Sequence, residues 1–145
     1  MNDLTLPVHH TLMEDLALHC RRLFLRNHEV QAHIGAHDFE KGVTQRLLIN
    51  VELWVPLAQS TPSLDRLSEV VDYDFVRTEV ALRLQQGHIE LQETLCDDLA
   101  DRLLAHPGVR AVRLSTRKPD VYPDCEAVGV EVFRLKPEQA CPEPP

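Results

Sequence analysis

The chain carries four ionisable side chains that together could bind a heterocyclic molecule and move protons around it. They are two carboxylates, a phenol and an amine: Glu40, Glu93, Tyr73 and Lys118. A carboxylate can accept two parallel hydrogen bonds from adjacent N–H groups of an amide-like ring. A lysine or a tyrosine within hydrogen-bond reach can give or take the proton that a reaction moves. The four residues indicate an acid–base site, provided that the fold brings them together.

Each of the four residues also has an ordinary structural interpretation. Glu93 is expected in the first turn of a helix, where free N–H groups stabilise any carboxylate. Lys118 at a strand end is commonly a solvated edge charge, and acid–base work would require its pKa to fall from about 10.4 toward neutrality. Tyr73 at a helix start is by default a packing residue, and Glu40 a surface acid beside Lys41. The four therefore have to be judged jointly.

The elements that must position these residues follow from hydrophobic periodicity. Alternating apolar residues predict strands, and leucines four residues apart predict a helix. The predicted strands are 23–34, 45–56, 109–115 and 127–135, and the predicted helices are 72–86 and 91–105. Asp72 is a candidate N-cap and Gly87 a candidate helix stop. The order β-β-α-α-β-β predicts an α+β fold, a four-stranded antiparallel sheet with two helices on one face.

Apolar residues on the second face of this sheet, such as Trp54, predict that it is partly covered as well, which favours oligomerisation. Residues 1–21 are predicted to be an N-terminal extension that contains a short helix over 12–17. Residues 22–135 form the expected domain. The tail 136–145 contains four prolines and is expected to be disordered.

Composition excludes several functional classes. The net charge of −8 argues against nucleic-acid binding, which needs clustered Lys and Arg. No apolar run approaches the ~20 residues of a membrane span, and no secretory signal is visible. The cysteines are widely spaced and are expected to be reduced thiols of a cytoplasmic protein. They are Cys20, Cys96, Cys125 and Cys141.

No metal or cofactor is expected from the motifs. His33 and His37 are four residues apart, but they belong to a predicted strand and a turn, so helical spacing does not apply. The chain has no H-E-x-x-H motif and no cysteine pair for zinc. A glycine-rich phosphate loop and a G-x-S-x-G elbow are also missing from the sequence.

Four separated motifs carry the strongest functional signal, because they follow one another in the order of the predicted elements. They are Ile34-Gly35-Ala36-His37-Asp38-Phe39-Glu40, Val71-Asp72-Tyr73, Leu91-Gln92-Glu93-Thr94-Leu95, and Lys118-Pro119 followed by Ala127-Val128-Gly129-Val130-Glu131-Val132. Together they resemble the dihydroneopterin aldolase family over roughly residues 22–135.

The resemblance implies a fold and an activity. The fold is the tunnelling fold, assembled as rings of four that usually stack into octamers, with active sites between adjacent subunits. The reaction is a retro-aldol cleavage of 7,8-dihydroneopterin to glycolaldehyde and 6-hydroxymethyl-7,8-dihydropterin. It uses neither a metal nor a Schiff base. A pterin substrate and further copies of the chain are therefore the expected partners.

The resemblance also implies roles for particular residues. Glu93 and the backbone of Gln92 anchor the pterin, and Lys118 handles the proton of the side-chain hydroxyl. Tyr73 takes part in protonating the enamine, and Glu40 positions substrate or water near N5. Five residues are thus implied to bind substrate: Glu93, Gln92, Tyr73, Glu40 and Val71.

Two other functions remain compatible with the sequence. An epimerase of dihydroneopterin or its triphosphate would use the same residues, and a triphosphate would call for a cation such as Arg117. A pterin-binding paralogue without turnover is the alternative from another class. His37, Phe39 and the stretch 120–122 depart from the family pattern around the expected pocket, so they bear on substrate choice more than on fold.

Overall fold

The sheet and helices of this chain follow the predicted order β-β-α-α-β-β, with two additional short helices. The structure is a computed structural model that describes residues 11–137. The elements are α1 (Leu12–His19), β1 (Cys20–Ala32), β2 (Gln45–Pro56), α2 (Leu57–Ser60), α3 (Asp74–Leu84), α4 (Gln92–Leu104), β3 (Ala111–Lys118) and β4 (Val128–Leu135). Residues 1–10 of the predicted extension and 138–145 of the predicted tail lie outside the described residues. The α+β prediction is confirmed.

The four strands form one antiparallel sheet in the order β1-β2-β3-β4. In β2 the alternation of side chains buries one complete set of apolar residues on the helix side of the sheet, namely Leu47, Ile49, Val51, Leu53 and Val55. Leu95, Leu99 and Leu103 of α4, which are spaced four residues apart and fully buried, belong to the same core as these β2 residues. This face, called the helix face below, holds the main core.

The second face of the sheet is partly covered by α1, which confirms that part of the sequence prediction. Thr11 caps α1 by accepting a hydrogen bond from the amide of Glu14. Leu16 is the buried residue of α1 and packs with Trp54 and Ala111. The predicted N-terminal extension therefore contributes a helix that shields the lone tryptophan from water.

Several element boundaries differ from the predicted ones. β3 continues to Lys118 because that residue pairs with Val128 on β4. β1 ends at Ala32, because Ile34 leaves the ladder and forms an isolated parallel bridge with Ile89. These differences arise from pairing between distant segments, which local periodicity does not encode.

Helix α3 begins two residues after the predicted N-cap. Asp72 nevertheless caps the turn, since its carboxylate accepts a 2.9 Å hydrogen bond from the amide of Asp74. At the other end the helix stops at Leu84, ahead of Gly87, whose φ of +108° lies in the region that favours glycine. No helix among residues 11–137 is long and apolar enough to cross a membrane.

We predict that truncating Leu16 destabilises the protein whereas truncating Leu18 in the same helix does not. Leu16 is 2% exposed and Leu18 is 56% exposed. Leu16→Ala should lower the free energy of unfolding by about 2–4 kcal/mol, and Leu18→Ala should change it by less than about 0.5 kcal/mol. Urea unfolding followed by Trp54 fluorescence measures both. Equal effects of the two substitutions would contradict the packing of α1 on the sheet.

Candidate active site

A buried ion pair joins two of the predicted site residues at one end of the sheet. The Nζ atom of Lys118 donates a 2.8 Å hydrogen bond to Oε2 of Glu40. Glu40 is 7% exposed and Lys118 is 9% exposed. The structure thus brings together two residues that are 78 positions apart in sequence. Glu40 and Lys118 are therefore buried partners and not the separate surface charges that each would be by default.

Strand alternation explains why Lys118 points inward. Successive side chains of a strand face opposite sides of the sheet, so Lys118 lies on the helix face together with Leu114 and Thr116. Arg117 lies on the second face, where its guanidinium donates to Oδ1 of Asn27. Arg117, the candidate cation for a triphosphate, is therefore on the opposite side of the sheet from Lys118.

The β1–β2 loop holds the Glu40 carboxylate from several directions. A 3-10 turn over Asp38–Glu40 brings the side chain back to the start of the loop, where the amide of His37 donates to Oε1 at 3.3 Å. Gln45, the first residue of β2, donates from Nε2 to Oε2 at 2.7 Å. Gln45 was not predicted from sequence, since a glutamine at a strand start has no distinctive pattern.

Gly35 provides the space for this carboxylate. A Cβ atom at position 35 would stand 2.1 Å from Cδ of Glu40, and the φ of +142° is one that side-chain-bearing residues rarely adopt. Both the backbone conformation and the close approach therefore require glycine. The Gly35 in the first sequence motif is explained by the position of Glu40.

The hydrogen bonds to Glu40 reverse the effect of its burial on acidity. Burial on its own raises the pKa of this carboxyl, because it disfavours the charged form. The hydrogen bonds from Lys118, Gln45 and the His37 amide, together with the lysine charge, outweigh burial and lower the pKa to about 2. Glu40 is accordingly an ionised carboxylate at neutral pH.

The first turn of α4 lies next to this ion pair. The Oε1 atom of Gln92 accepts a 2.9 Å hydrogen bond from the Thr116 hydroxyl, and Nε2 of Gln92 donates to the carbonyl of Val128 at 3.3 Å. Val128 is the β4 partner of Lys118. Glu93 follows Gln92 directly and is exposed, so its carboxylate is available at the same end of the sheet as the ion pair.

Tyr73 does not join the ion pair within one chain. It is 62% exposed and lines an apolar groove with Leu25, Val51 and other residues of β1 and β2. Lys118 lies one residue beyond Arg117, the partner of Leu48 on β2. The three residue steps from Leu48 to Val51 alone span about 10 Å of strand, which separates the Tyr73 groove from Lys118.

Val71 lies in the same region as Tyr73. It is buried and lines, together with Tyr73, a second apolar groove of about 150 Å³ on the same part of the surface. The structure therefore divides the predicted site residues into two sets: Glu40, Gln92, Glu93 and Lys118 at one end of the sheet, and Val71 and Tyr73 further along it.

The aromatic residues that depart from the family pattern lie beside Glu40. The rings of His37 and Phe39 are stacked with centroids 5.4 Å apart, and Phe39 is exposed. Among residues 11–137, no group of three or more His, Cys, Asp or Glu side chains is placed to hold a metal ion.

The fold and the site together define a class of protein. It is an antiparallel α+β domain that carries a buried amine–carboxylate pair beside the N-terminus of a helix. Comparison with known proteins gives the family. The FolB dihydroneopterin aldolase sequence model matches residues 23–133. The chain therefore belongs to the dihydroneopterin aldolase family, whose members are aldehyde-lyases.

Individual relatives agree with this assignment. A dihydroneopterin aldolase from Burkholderia thailandensis, solved bound to guanine, is 58% identical, with a TM-score of 0.79 over 88% of this chain and 100% of that one. The Streptomyces coelicolor dihydroneopterin aldolase is 29% identical over 68% of this chain and 82% of its own length. The Escherichia coli enzyme in complex with neopterin shares the fold, with a TM-score of 0.72 at 24% identity over 79% of this chain and 98% of that one.

We predict that Glu40 makes stability depend on pH in acid. Its pKa falls from 4.5 to about 2 on folding, so its ionised form stabilises the fold above about pH 4.5, and this stabilisation is lost as the pH falls to about 2. Glu40→Gln should lower the free energy of unfolding near pH 6 by on the order of 3 kcal/mol. The difference from the unsubstituted protein should shrink toward pH 2.

Urea unfolding at several pH values measures this difference. Glu126→Gln is the matched control, because Glu126 is an exposed carboxylate. A Glu40→Gln difference that stays constant from pH 6 to pH 2 would contradict the low pKa of Glu40.

Proposed function

We propose that this chain is a dihydroneopterin aldolase in which Lys118 and Glu40 act at the reacting end of the substrate and Glu93 holds the pterin ring. The observation that carries the proposal is the buried 2.8 Å pair of Lys118 and Glu40 beside the first turn of α4. An acid–base pair and an exposed carboxylate at one sheet end meet the two needs of the reaction, which are proton transfer and ring orientation.

The cleavage requires two proton movements. The hydroxyl on the second side-chain carbon loses its proton, the bond to the first side-chain carbon breaks, and the electron pair enters the pterin C=N at N5 as an enamine. Lys118 accepts the hydroxyl proton as a neutral amine, so its ammonium must first release a proton to solvent. The hydrogen bond to Glu40 keeps the amine in place for this step. The bond cleavage itself releases glycolaldehyde. The proton that Lys118 took up is then delivered to the enamine carbon, with the Tyr73 phenol taking part, which gives 6-hydroxymethyl-7,8-dihydropterin.

Glu93 is proposed to recognise the amide-like edge of the pterin. A carboxylate can accept parallel hydrogen bonds from a ring N–H and an exocyclic amine. The guanine bound to the Burkholderia relative carries the same aminopyrimidinone edge as a pterin, which supports ligands of this shape for the family. The Gln92 side chain is occupied by Thr116 and Val128, so the proposed contribution of Gln92 comes from its backbone.

Tyr73 is proposed to reach the ion pair of an adjacent subunit. Within one chain it lies away from Lys118, yet it is exposed, and the exposed apolar residue Leu67 lines the same groove. The strands β1 and β4 are both sheet edges, which allows neighbouring copies to extend the sheet. We therefore propose a homo-oligomer, a tetramer or an octamer, in which Val71 and Tyr73 complete the site of a neighbour. Residues 22–135 are the proposed aldolase domain.

The direct test is incubation of the purified protein with 7,8-dihydroneopterin and chromatography of the products. We expect glycolaldehyde and 6-hydroxymethyl-7,8-dihydropterin. Formation of the epimer alone would assign the protein as an epimerase, and neopterin binding without conversion would assign it as a non-catalytic paralogue.

Lys118→Ala should abolish turnover while leaving neopterin binding intact, because the amine acts at the side chain of the substrate rather than at the ring. Persistent turnover in this variant would rule out the role of Lys118.

Glu93→Ala should show the opposite pattern and weaken neopterin binding itself. Loss of a charged hydrogen-bond partner removes about 2–3 kcal/mol, or roughly 30- to 150-fold in Kd. Fluorescence titration of the pterin measures the affinity, with Glu126→Ala as the control for an exposed carboxylate. An unchanged Kd would exclude Glu93 as the ring anchor.

Mixed oligomers test the shared site. Tyr73→Phe and Lys118→Ala are each expected to be strongly impaired, and co-refolding them in equal amounts should restore about one quarter of the normal activity, because each site draws the two residues from independently chosen subunits. If both residues served the same chain's site, mixing would restore nothing.

A further inference from the structure

We propose that His88 is a positioning residue for the Glu40–Lys118 pair, acting through the backbone of Gly35. The Nε2 atom of His88 lies 2.8 Å from the carbonyl oxygen of Gly35. A carbonyl oxygen only accepts hydrogen bonds, so Nε2 must carry the proton and donate it. This inference rests on the proposed function, and it adds a residue that does not belong to any of the four sequence motifs.

The turn that carries Gly35 is held at three consecutive carbonyls. Each carbonyl accepts a hydrogen bond from a different group: that of His33 from the Ile89 amide at 2.9 Å, that of Ile34 from Gln45 Nε2 at 2.6 Å, and that of Gly35 from His88 Nε2 at 2.8 Å. The Gly35 amide also donates to the Ile89 carbonyl at 2.9 Å. The residues 88–90, called the clasp below, therefore hold this turn from one side.

Any displacement of Gly35 must displace the acid–base pair. The Glu40 carboxyl group fits against Gly35 so closely that a Cβ atom there would stand 2.1 Å from Cδ of Glu40. The same carboxylate accepts the hydrogen bond of Lys118. His88 thus fixes the backbone surface on which Glu40 rests, although it contacts neither Glu40 nor Lys118 through a hydrogen bond.

The clasp has a second attachment near the same loop. Lys41, the residue after Glu40, forms an ion pair with Glu90, and Oε1 of Glu90 lies 3.9 Å from His88 Nε2. The His88 side chain is 26% exposed, so the hydrogen bond to Gly35 is only partly accessible to competing water. These contacts favour one orientation of the imidazole, with its donor aimed at the Gly35 carbonyl.

The clasp leads directly into α4, but α4 has its own attachment to the sheet. Gln92 is held by the Thr116 hydroxyl and the Val128 carbonyl. Loss of the His88 hydrogen bond should therefore move the acid–base pair and leave the pterin anchor in place. The expected result is a loss in kcat with little change in KM, since small misplacements of reacting groups are costly to the chemical step.

Glutamine and methionine at position 88 form a matched pair for the test, since they have similar length and only glutamine can donate to the Gly35 carbonyl. In steady-state cleavage of 7,8-dihydroneopterin, His88→Met should lower kcat about tenfold with KM changed by less than about threefold. His88→Gln should keep kcat within about threefold of the unsubstituted protein. His19→Ala, which removes an exposed histidine side chain in α1, should leave both constants unchanged.

The outcomes separate this inference from the proposed function. If the unsubstituted protein does not cleave dihydroneopterin, the proposed function fails. If it does, and His88→Met matches His88→Gln in kcat, the positioning role of His88 is overturned. A loss that appears mainly in KM would also overturn it, because the clasp would then act on the pterin anchor. Glutamine and methionine are both similar in length to histidine, so neither substitution creates a large cavity at position 88.

Discussion

The ion pair between Glu40 and Lys118 is the interaction on which the rest of the site depends. Removing a carboxylate and an ammonium from water is costly, and their mutual attraction compensates only when further hydrogen bonds complete the arrangement. These two are the buried charged side chains among residues 11–137. The fold meets the requirement with Gln45, with the amide of His37 and with a glycine that lets the carboxylate lie against the backbone.

That requirement accounts for the form of the β1–β2 loop. Its 3-10 turn points the Glu40 side chain back toward Gly35, and the clasp at 88–90 holds Gly35 from the other side. A loop that only joined two strands would not need glycine with a φ of +142° or hydrogen bonds at three successive carbonyls. The local geometry is consistent with a catalytic group held in place before substrate arrives.

The alternation of β3 separates two chemical environments. Thr116 and Lys118 face α4 and lie at the candidate site, whereas Arg117 faces the second side of the sheet and donates to Asn27. Adjacent basic residues therefore have unrelated roles, and the triphosphate alternative gains no support from Arg117 within one chain. The second face is instead organised around Trp54 and the helix α1, which shields it.

Sequence periodicity was sufficient for the architecture, because helix and strand patterns are local. The alternation in β2 and the leucine spacing in α4 predicted both elements to within a residue or two. Glu40 and Lys118 could be nominated from their motifs, but their burial and mutual contact could not, since each alone is typical of a surface charge. Gln45 and His88 carried no sequence signal, because their roles depend on where distant backbone carbonyls lie.

The amino-acid sequence by itself determined the order of elements, the apolar face of each element and the motifs that indicate the family. Only the tertiary structure decided which charges are buried together, which face Arg117 occupies and how far Tyr73 lies from Lys118. The physical reason is that hydrophobic patterning depends on the order of residues that are close together in sequence. Pairing of charges and satisfaction of carbonyls depend on contacts between segments such as 35–45 and 88–118, which only folding brings together.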